Sequence, residues 1–305
     1  MGRYASIDIG TNSVLLLVAE KKAGRFEAVV ERAEITRLGR GVDRTKTLES
    51  AAIEDTLKVL EGFTAEARKL GAEEIAVSAT SAARDASNGK DFLEGAFRRA
   101  GVRPEIISGD EEAQLSFTSA WTDFGGKTPM IVVDIGGGST ELIFGDAQGQ
   151  VTYRHSFDVG SVRLTERFVT AHPISEHELL KVRSHLEETF APLPQPPAGA
   201  TFVGVAGTVT TVCSVHRRLD PYDATQVHGA TLSLADVSGV AHHMAALGLE
   251  ERRKVPGLQP KRADVIPVGA AILEAAMRRV GAHDVRVSDR GLRWGLLMAR
   301  FGSKA

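Results

Sequence analysis

Residues Ile131–Phe144 read IVVDIGGGSTELIF, and residues Ser6–Val18 have already spelled a close variant, SIDIGTNSVLLLV. Superposing the two puts Asp134 on Asp8, Gly136 on Gly10, Gly138 on Asn12 and Ser139 on Ser13, a constant offset of 134 − 8 = 126 residues. That spacing is the length of a small domain. In each copy a β-branched run ends in Asp-Ile-Gly, passes through small residues and resumes with apolar side chains, which reads as strand, tight turn, strand. Two β-hairpins are expected. Glycines at the second turn free the backbone, so that N–H groups of Gly136, Gly137, Gly138 and Ser139 can converge on an anion, and Thr11, Asn12 and Ser13 hold the matching places in the first copy. Hydroxyls of Ser139, Thr140, Thr11 and Ser13 add further donors. Asp8 and Asp134 would repel a bare phosphate unless a divalent cation lay between them. Carboxylate plus anion nest implies metal plus phosphate. A hairpin that merely needs glycine to turn is the bland alternative, and repetition at domain spacing weighs against it.

The bulk numbers set the frame. A chain of 305 residues, 43% hydrophobic and 25% charged, has the make-up of an ordinary globular protein and the length of two domains. No run of 18 apolar residues is present, and MGRYASIDIG enters the first strand at once, so a cytoplasmic protein with no membrane partner is expected. One cysteine, Cys213, rules out an internal disulfide framework and reads as a small core residue. The net charge of −2 gives no global attraction to nucleic acid or anionic lipid, so a polyanion must be held by a local cluster.

Along the chain, RFEAVVERAEITRLG continues the first hairpin as a third strand. ESAAIEDTLKVLEGFTAEARKLG carries apolar residues at helical spacing up to a terminal glycine. EEIAVSAT reads as a strand stopping at a polar turn, NGKDFLEGAFRRAG as a helix, EIISG as a short strand and GDEEAQLSFTSAWTDFG as a helix, giving βββαβαβα. From Pro129 the order begins again with MIVVDIG, STELIFG and QVTYRHSFD, then helices from about Ser161 and Ser175. PLPQPPAGA reads as an exposed loop. TFVGVAG is a strand opening into the helix TVTTVCSVHRR; SLADVSGVAHHMAAL and ADVIPVGAAILEAAMRRVG look helical, HDVRVSD extended, and RGLRWGLLMARFG is the last helix. A duplicated unit opening each time with a phosphate-type hairpin points to a two-lobed α/β protein with its active cleft between the lobes. A dinucleotide fold is excluded, because DIGGGSTE has Glu141 at the third glycine position and runs on as a strand.

On DIGTNSVLLLV, SATSAARDASNG, EIISGDEEAQLSF, VVDIGGGSTELIF, VAGTVTT and VSDRGLRWGLL, taken in that order, the chain resembles the exopolyphosphatase and guanosine-pentaphosphate phosphohydrolase family of the actin, sugar-kinase and Hsp70 superfamily. The resemblance implies an α/β fold of two duplicated RNase H-like domains, at 1–125 and 126–305, with an interdomain cleft and a last helix able to pack back on the first domain. A short form without the further helical domains of longer members is expected. It also implies hydrolysis of a terminal phosphoanhydride, releasing orthophosphate from polyphosphate or pppGpp, and a homodimer.

Ser108 precedes Glu111 by three residues, the capping-box spacing, so helix initiation alone explains Glu111. Glu112 turns about 100° away, while Ala113, Phe117, Ala120 and Trp121 form the apolar face. It can complement the helix dipole; the resemblance instead makes Glu112 the base that deprotonates the attacking water. Asp134 and Glu141 bracket the second turn and can approach each other from opposite strands, with hard oxygens suited to Mg²⁺ or Mn²⁺. Asp8 is the matching carboxylate of the first copy, where Leu15 stands at the position equivalent to Glu141, so only one ligand is expected there. Gly207 and Thr208 open a helix whose N-terminus can face an anion. Arg84 and Arg262 lie where the family places phosphate-binding cations, a role that suits the bidentate guanidinium. The stretch ERRKVPGLQPKRAD, with five basic residues, is either a rail for a polyanion or an exposed loop. The nine histidines lack metal-ligand spacing, and no nucleophile elbow is apparent, which favours direct attack by water. Trp294 stands where family members usually carry Glu.

Three readings compete. The first is an Mg²⁺-dependent exopolyphosphatase, favoured over pppGpp 5′-phosphohydrolase by the expected short form. The third class, an ATP-binding kinase or chaperone-like lobe pair, needs an adenosine pocket, for which VIPVGAAIL is a candidate remnant, and leaves Glu112 without a task; a non-catalytic ATP- or polyphosphate-binding module would predict loss of at least one of Glu112, Asp134 and Glu141, and none is lost.

Overall fold

The computed structural model describes residues 2–303. Among them the chain divides into two compact units: Ala120–Gly291, and the residues up to Ser119 together with those from Leu292 onward.

The first unit begins with β1 (Arg3–Ile9), β2 (Ser13–Lys22) and β3 (Arg25–Ile35), and continues through α1 (Val42–Thr45), α2 (Ser50–Lys69), β4 (Ala72–Ala79), α3 (Ser81–Asp85), α4 (Gly89–Ala100), β5 (Glu105–Ile106) and α5 (Gly109–Phe124). Its described sheet runs β3-β2-β1-β4-β5, with an antiparallel meander at one side and parallel β4 and β5 at the other. Side chains alternate along β1. Ala5, Ile7 and Ile9 join Leu57, Leu60 and Phe63 of α2 and Phe92 of α4 in one core. Tyr4, Ser6 and Asp8 take the other face, so Asp8 comes off the end of the central strand on the side opposite α2. Burial on both sides explains why this strand reads as a nearly continuous apolar run.

The second unit holds β6 (Met130–Ile135), β7 (Thr140–Gly145), β8 (Val151–Phe157), α6 (Ser161–Phe168), α7 (Glu176–Phe190), β9 (Thr201–Val205), α8 (Ala206–Arg217), α9 (Ala224–Val227), β10 (Thr231–Ser233), α10 (Leu234–Ala246), α11 (Leu249–Arg252), α12 (Ile266–Val280) and β11 (Asp284–Val287). Its described sheet runs β8-β7-β6-β9-β11-β10. Without β10 this is the strand order of the first unit, so the duplication read from the two turns extends to topology. α12 is the core helix, buried from Ile266 to Glu274. Cys213 lies in the same core, where burial pushes its thiol pKa up.

The last helix, α13 (Leu292–Phe301), belongs to the first unit, where Trp294, Leu297 and Phe301 pack on Tyr4, Leu17 and Ala19. The division itself falls within α5, after Ser119.

Some local expectations change. The polar turn after EEIAVSAT is a short helix, α3. The edge strand β10, only Thr-Leu-Ser, carries too few residues for a periodicity signal. The basic stretch is no rail along its length, because Arg252 is fully buried and donates to the carbonyls of Met244, Leu247 and Ala263, tying α11 to the end of α10. Burial pushes its pKa down to about 10.

Candidate active site

Both turns close in the same way. Gly10 N–H donates to Ser13 O at 2.9 Å, and Gly136 N–H donates to Ser139 O at 3.0 Å. What flanks each turn differs.

In the first unit Asp8 pairs with Leu15 across β1 and β2, so one carboxylate flanks the turn. Asp8 is buried, and its neighbour on the parallel strand is Ser78, whose buried Oγ has no hydrogen-bond partner among the described residues. Sequence reasoning missed Ser78; the only available signal was its place near the end of a strand leaving the sheet. Thr11 Oγ1 and Ser81 Oγ lie 2.8 Å apart, which commits the Thr11 hydroxyl to α3. The buried Asn12 keeps a side-chain amide nitrogen without an acceptor among the described residues, an orphan donor suited to an anion.

Glu112 lies in the first turn of α5 and is only 7% exposed, whereas Glu111 beside it faces outward, 3.5 Å from Arg300. Ser108 Oγ accepts the Glu111 N–H at 3.1 Å, the expected start of this helix. Arg84, at the end of α3, donates to Ile107 O at 2.9 Å and reaches Glu112 Oε2 at 3.4 Å. The structure thus brings these two sequence candidates together, with the guanidinium beside the carboxylate.

In the second unit Asp134 pairs directly with Glu141 across β6 and β7, which sets both side chains on one face of the sheet with Cβ atoms about 5 Å apart. Both are buried, Glu141 completely. Ser156, opposite Glu141 on β8, donates to Glu141 Oε1 at 2.6 Å and fixes its orientation. Two adjoining buried carboxylates favour a cation between them. Among the described residues no three His, Cys, Asp or Glu side chains form a metal-holding group. The acidic side chains of this turn are a carboxylate pair, hard oxygen atoms of the kind that suits an ion keeping several waters.

The phosphate candidates of this unit gather around the same strand end. Asp134 pairs with Val205, the last residue of β9, so α8 starts next to it. Ala206 turns the chain there with a left-handed φ of 69°. The Arg262 guanidinium lies so close over Gly207 that a Cβ there would sit 2.5 Å from Nη2. Burial lowers the pKa of Arg262 to about 10, with the Tyr222 hydroxyl acting the other way. An anion at the start of α8 would offset that penalty. Thr208 packs on Gly269 of α12, as does Ser161 at the start of α6. The stretch VIPVGAAIL, weighed above as an adenosine-pocket remnant, is this buried helix. Thr140 is no phosphate donor either, since its hydroxyl is committed to Val159 O at 2.6 Å.

Trp294 fills the place of the usual glutamate with apolar burial, and its indole N–H donates to Glu31 Oε2 at 3.3 Å. Arg293 pairs with the same carboxylate. No described helix is long and apolar enough to cross a membrane.

The architecture and the paired turns agree with comparisons to known proteins. Residues 17–303 match the sequence pattern of the Ppx/GppA phosphatase family. Exopolyphosphatase 2 of Mycobacterium tuberculosis is 35% identical over 320 aligned residues, 98% of this chain and 99% of its own. The crystal structure of the Aquifex aeolicus Ppx/GppA family member is 33% identical, with a TM-score of 0.83, covering 98% of this chain and 97% of its own. That of an exopolyphosphatase-like protein is also 33% identical, with a TM-score of 0.90 and the same coverage. The chain belongs to the Ppx/GppA phosphatase family.

Proposed function

We propose that this protein is an exopolyphosphatase that removes the terminal phosphate of inorganic polyphosphate by attack of water. The observation that carries the reading is the direct pairing of Asp134 with Glu141 beside the glycine turn, a buried acidic pair adjoining an anion nest. Family membership and a full-length relative named as an exopolyphosphatase support it.

Glu112, 3.4 Å from the Arg84 guanidinium, accepts the proton of the attacking water. As the oxygen of that water bonds to the terminal phosphorus, the anhydride bond on the opposite side breaks, and the shortened chain leaves with the bridging oxygen. N–H groups of the Gly136–Ser139 turn, the start of α8 and Arg262 bind the phosphate oxygens and orient the anhydride. Asp134 and Glu141 would hold Mg²⁺ or Mn²⁺, which supplies charge neutralisation at the phosphate when bound. A homodimer is part of the reading on family resemblance alone.

The second reading, pppGpp 5′-phosphohydrolase, uses the same groups on a substrate with a guanosine tail. Orthophosphate release from polyphosphates of defined length, from pppGpp and from ATP under Mg²⁺ separates the readings. Polyphosphate is expected to be the preferred substrate, and Glu112→Ala to slow its turnover by roughly 10²–10⁴. Turnover of ATP with none of polyphosphate would reject the proposal.

A further inference from the structure

Arg163 enters neither the composition argument nor the family motifs, yet it is buried at the back of the glycine turn. Its residue is 7% exposed, and its Nε donates to Gly138 O at 2.6 Å. The backbone around it acts on the same turn. Ser161 N–H donates to Gly136 O at 3.0 Å, and the N–H groups of Val162 and Arg163 donate to Gly137 O at 2.9 and 3.0 Å. The Ser161 hydroxyl adds a longer bond to Gly136 O at 3.3 Å. Gly160 permits this approach, since a Cβ there would lie 2.4 Å from Gly137 O and 2.6 Å from the Gly138 carbonyl carbon.

Three consecutive carbonyls, of Gly136, Gly137 and Gly138, are thus drawn to one side. In a trans peptide the C=O and the following N–H point in opposite directions. The N–H groups of Gly137, Gly138 and Ser139 must therefore point away from α6, which is the arrangement an anion nest needs. Those of Gly137 and Gly138 meet no hydrogen-bond acceptor among the described residues.

The duplicated unit repeats the device in part. Residue 163 − 126 = 37 is also an arginine. Thr36 and Arg37 donate their N–H groups to Asn12 O at 3.1 and 3.0 Å, and Gly39 donates to Thr11 O at 2.8 Å. Arg37 adopts a left-handed φ of 55° to do so. The backing segment after the third strand is therefore common to both turns, and in the second it gains the buried guanidinium.

We propose that Arg163 is a positioning residue for phosphate binding: by holding the Gly138 carbonyl against α6 it fixes the turn with its N–H groups facing the substrate, and its charge lies directly behind them. This rests on the phosphoanhydride reading above. Arg163 touches no substrate; it acts through the turn.

The test measures KM and kcat on tripolyphosphate, and the dissociation constant of orthophosphate by calorimetry, for wild type, Arg163→Met, Arg163→Lys and Gly160→Ala. Arg163→Met is expected to raise KM and the orthophosphate constant together by roughly tenfold or more, with kcat changed less than KM, the signature of lost uniform binding. Gly160→Ala, which pushes on the same carbonyls, should show the same pattern. Arg163→Lys keeps the charge without the planar Nε donor and should lie between Met and wild type. KM and orthophosphate affinity within about twofold of wild type in the variants that fold, with activity falling only as the folded fraction falls, would make Arg163 a purely structural residue and overturn the inference. A wild-type protein that neither binds orthophosphate nor turns over tripolyphosphate defeats the functional reading instead, so the two failures are distinguishable.

Discussion

Glu112→Gln separates chemistry from folding at the one carboxylate assigned to the attacking water. The glutamine keeps the volume of a side chain that is 7% exposed, and keeps an oxygen facing Arg84. What disappears is the charge. At 3.4 Å and an effective dielectric of about 20, the attraction between the two groups is worth roughly 5 kcal/mol before desolvation. Keeping a carboxylate buried cancels most of that, so the net loss of stability should be about 1 kcal/mol or less. For units of this size that is a fall in Tm of roughly 2–4 °C. The catalytic loss has another scale. A positioned general base contributes about 10²–10⁴ in rate, or roughly 3–5 kcal/mol of barrier, none of which glutamine can supply. Orthophosphate release from polyphosphate under saturating Mg²⁺, measured beside a thermal melt, should show kcat down at least a hundredfold with KM within a few-fold and Tm nearly unchanged. A variant that keeps more than about a tenth of wild-type kcat would show that the water is deprotonated elsewhere, and the role given to this carboxylate would be wrong.

Three more outcomes are expected. Gly207→Ala sets a Cβ 2.5 Å from Arg262 Nη2, a flexible tip that can move aside, so Tm should hold while KM for polyphosphate rises several-fold; an unchanged KM would remove Arg262 from the phosphate site. Glu141→Gln halves the acidic pair formed with Asp134, and should raise the Mg²⁺ concentration needed for half-maximal activity by roughly tenfold or more, whereas Ser156→Ala, which only frees the Glu141 carboxylate from its 2.6 Å hydrogen bond, should raise it less; equal metal dependence in all three proteins would refute the assignment. Glu178 accepts from the Ser175 hydroxyl and from backbone and hydroxyl groups of Thr170 and Ser175, which hold its carboxyl down at about 2, from an ordinary 4.5. A depressed folded-state pKa contributes stability that is complete above about 4.5 and is lost as the pH falls towards 2, so the Tm gap between wild type and Glu178→Ala should be widest at neutral pH and shrink across that window. A gap that stays constant from pH 7 to pH 2 would show that the capping hydrogen bonds do not depend on the charge.

The parts of the site set by local pairing could be read from the sequence. Glu141 follows Asp134 by seven residues through a turn that closes on itself, so the two had to meet on one face once the hairpin formed, and the same count placed Leu15 opposite Asp8. Contacts that depend on where distant segments return could not be read. Arg84 was assigned to phosphate by its motif, yet it also pairs with Glu112, 28 residues away, because α3 and the start of α5 follow neighbouring parallel strands. Arg262 comes down on Gly207 from a short 3₁₀ helix, Pro260–Arg262, 55 residues further along the chain; both were singled out, but nothing in either stretch says that they touch. Arg252 shows the opposite error: a basic residue in a basic run, indistinguishable in sequence from a solvated one, caps buried carbonyls instead. Trp294 was visible as a departure, but its consequence was not, since its partner Glu31 lies in a strand 263 residues earlier.

The divergence between the two turns has a physical direction. Both keep the aspartate, the closing hydrogen bond and a backing segment that draws carbonyls away from the turn. A second buried carboxylate is tolerable only where a cation compensates it, because an unpaired buried charge costs several kcal/mol. For a polyanionic substrate, another Asp–Glu pair without its own ion would add repulsion to that cost. Leu15 in place of a glutamate is therefore what one metal site predicts for the first copy, and Asn12 in place of a glycine gives that copy a neutral side-chain donor instead. Restoring the symmetry tests this: Leu15→Glu should destabilise the protein without metal and weaken polyphosphate binding, and high Mg²⁺ should not restore the binding. Recovery by Mg²⁺ would mean that the first turn can build a metal site of its own, and that the asymmetry has some other cause.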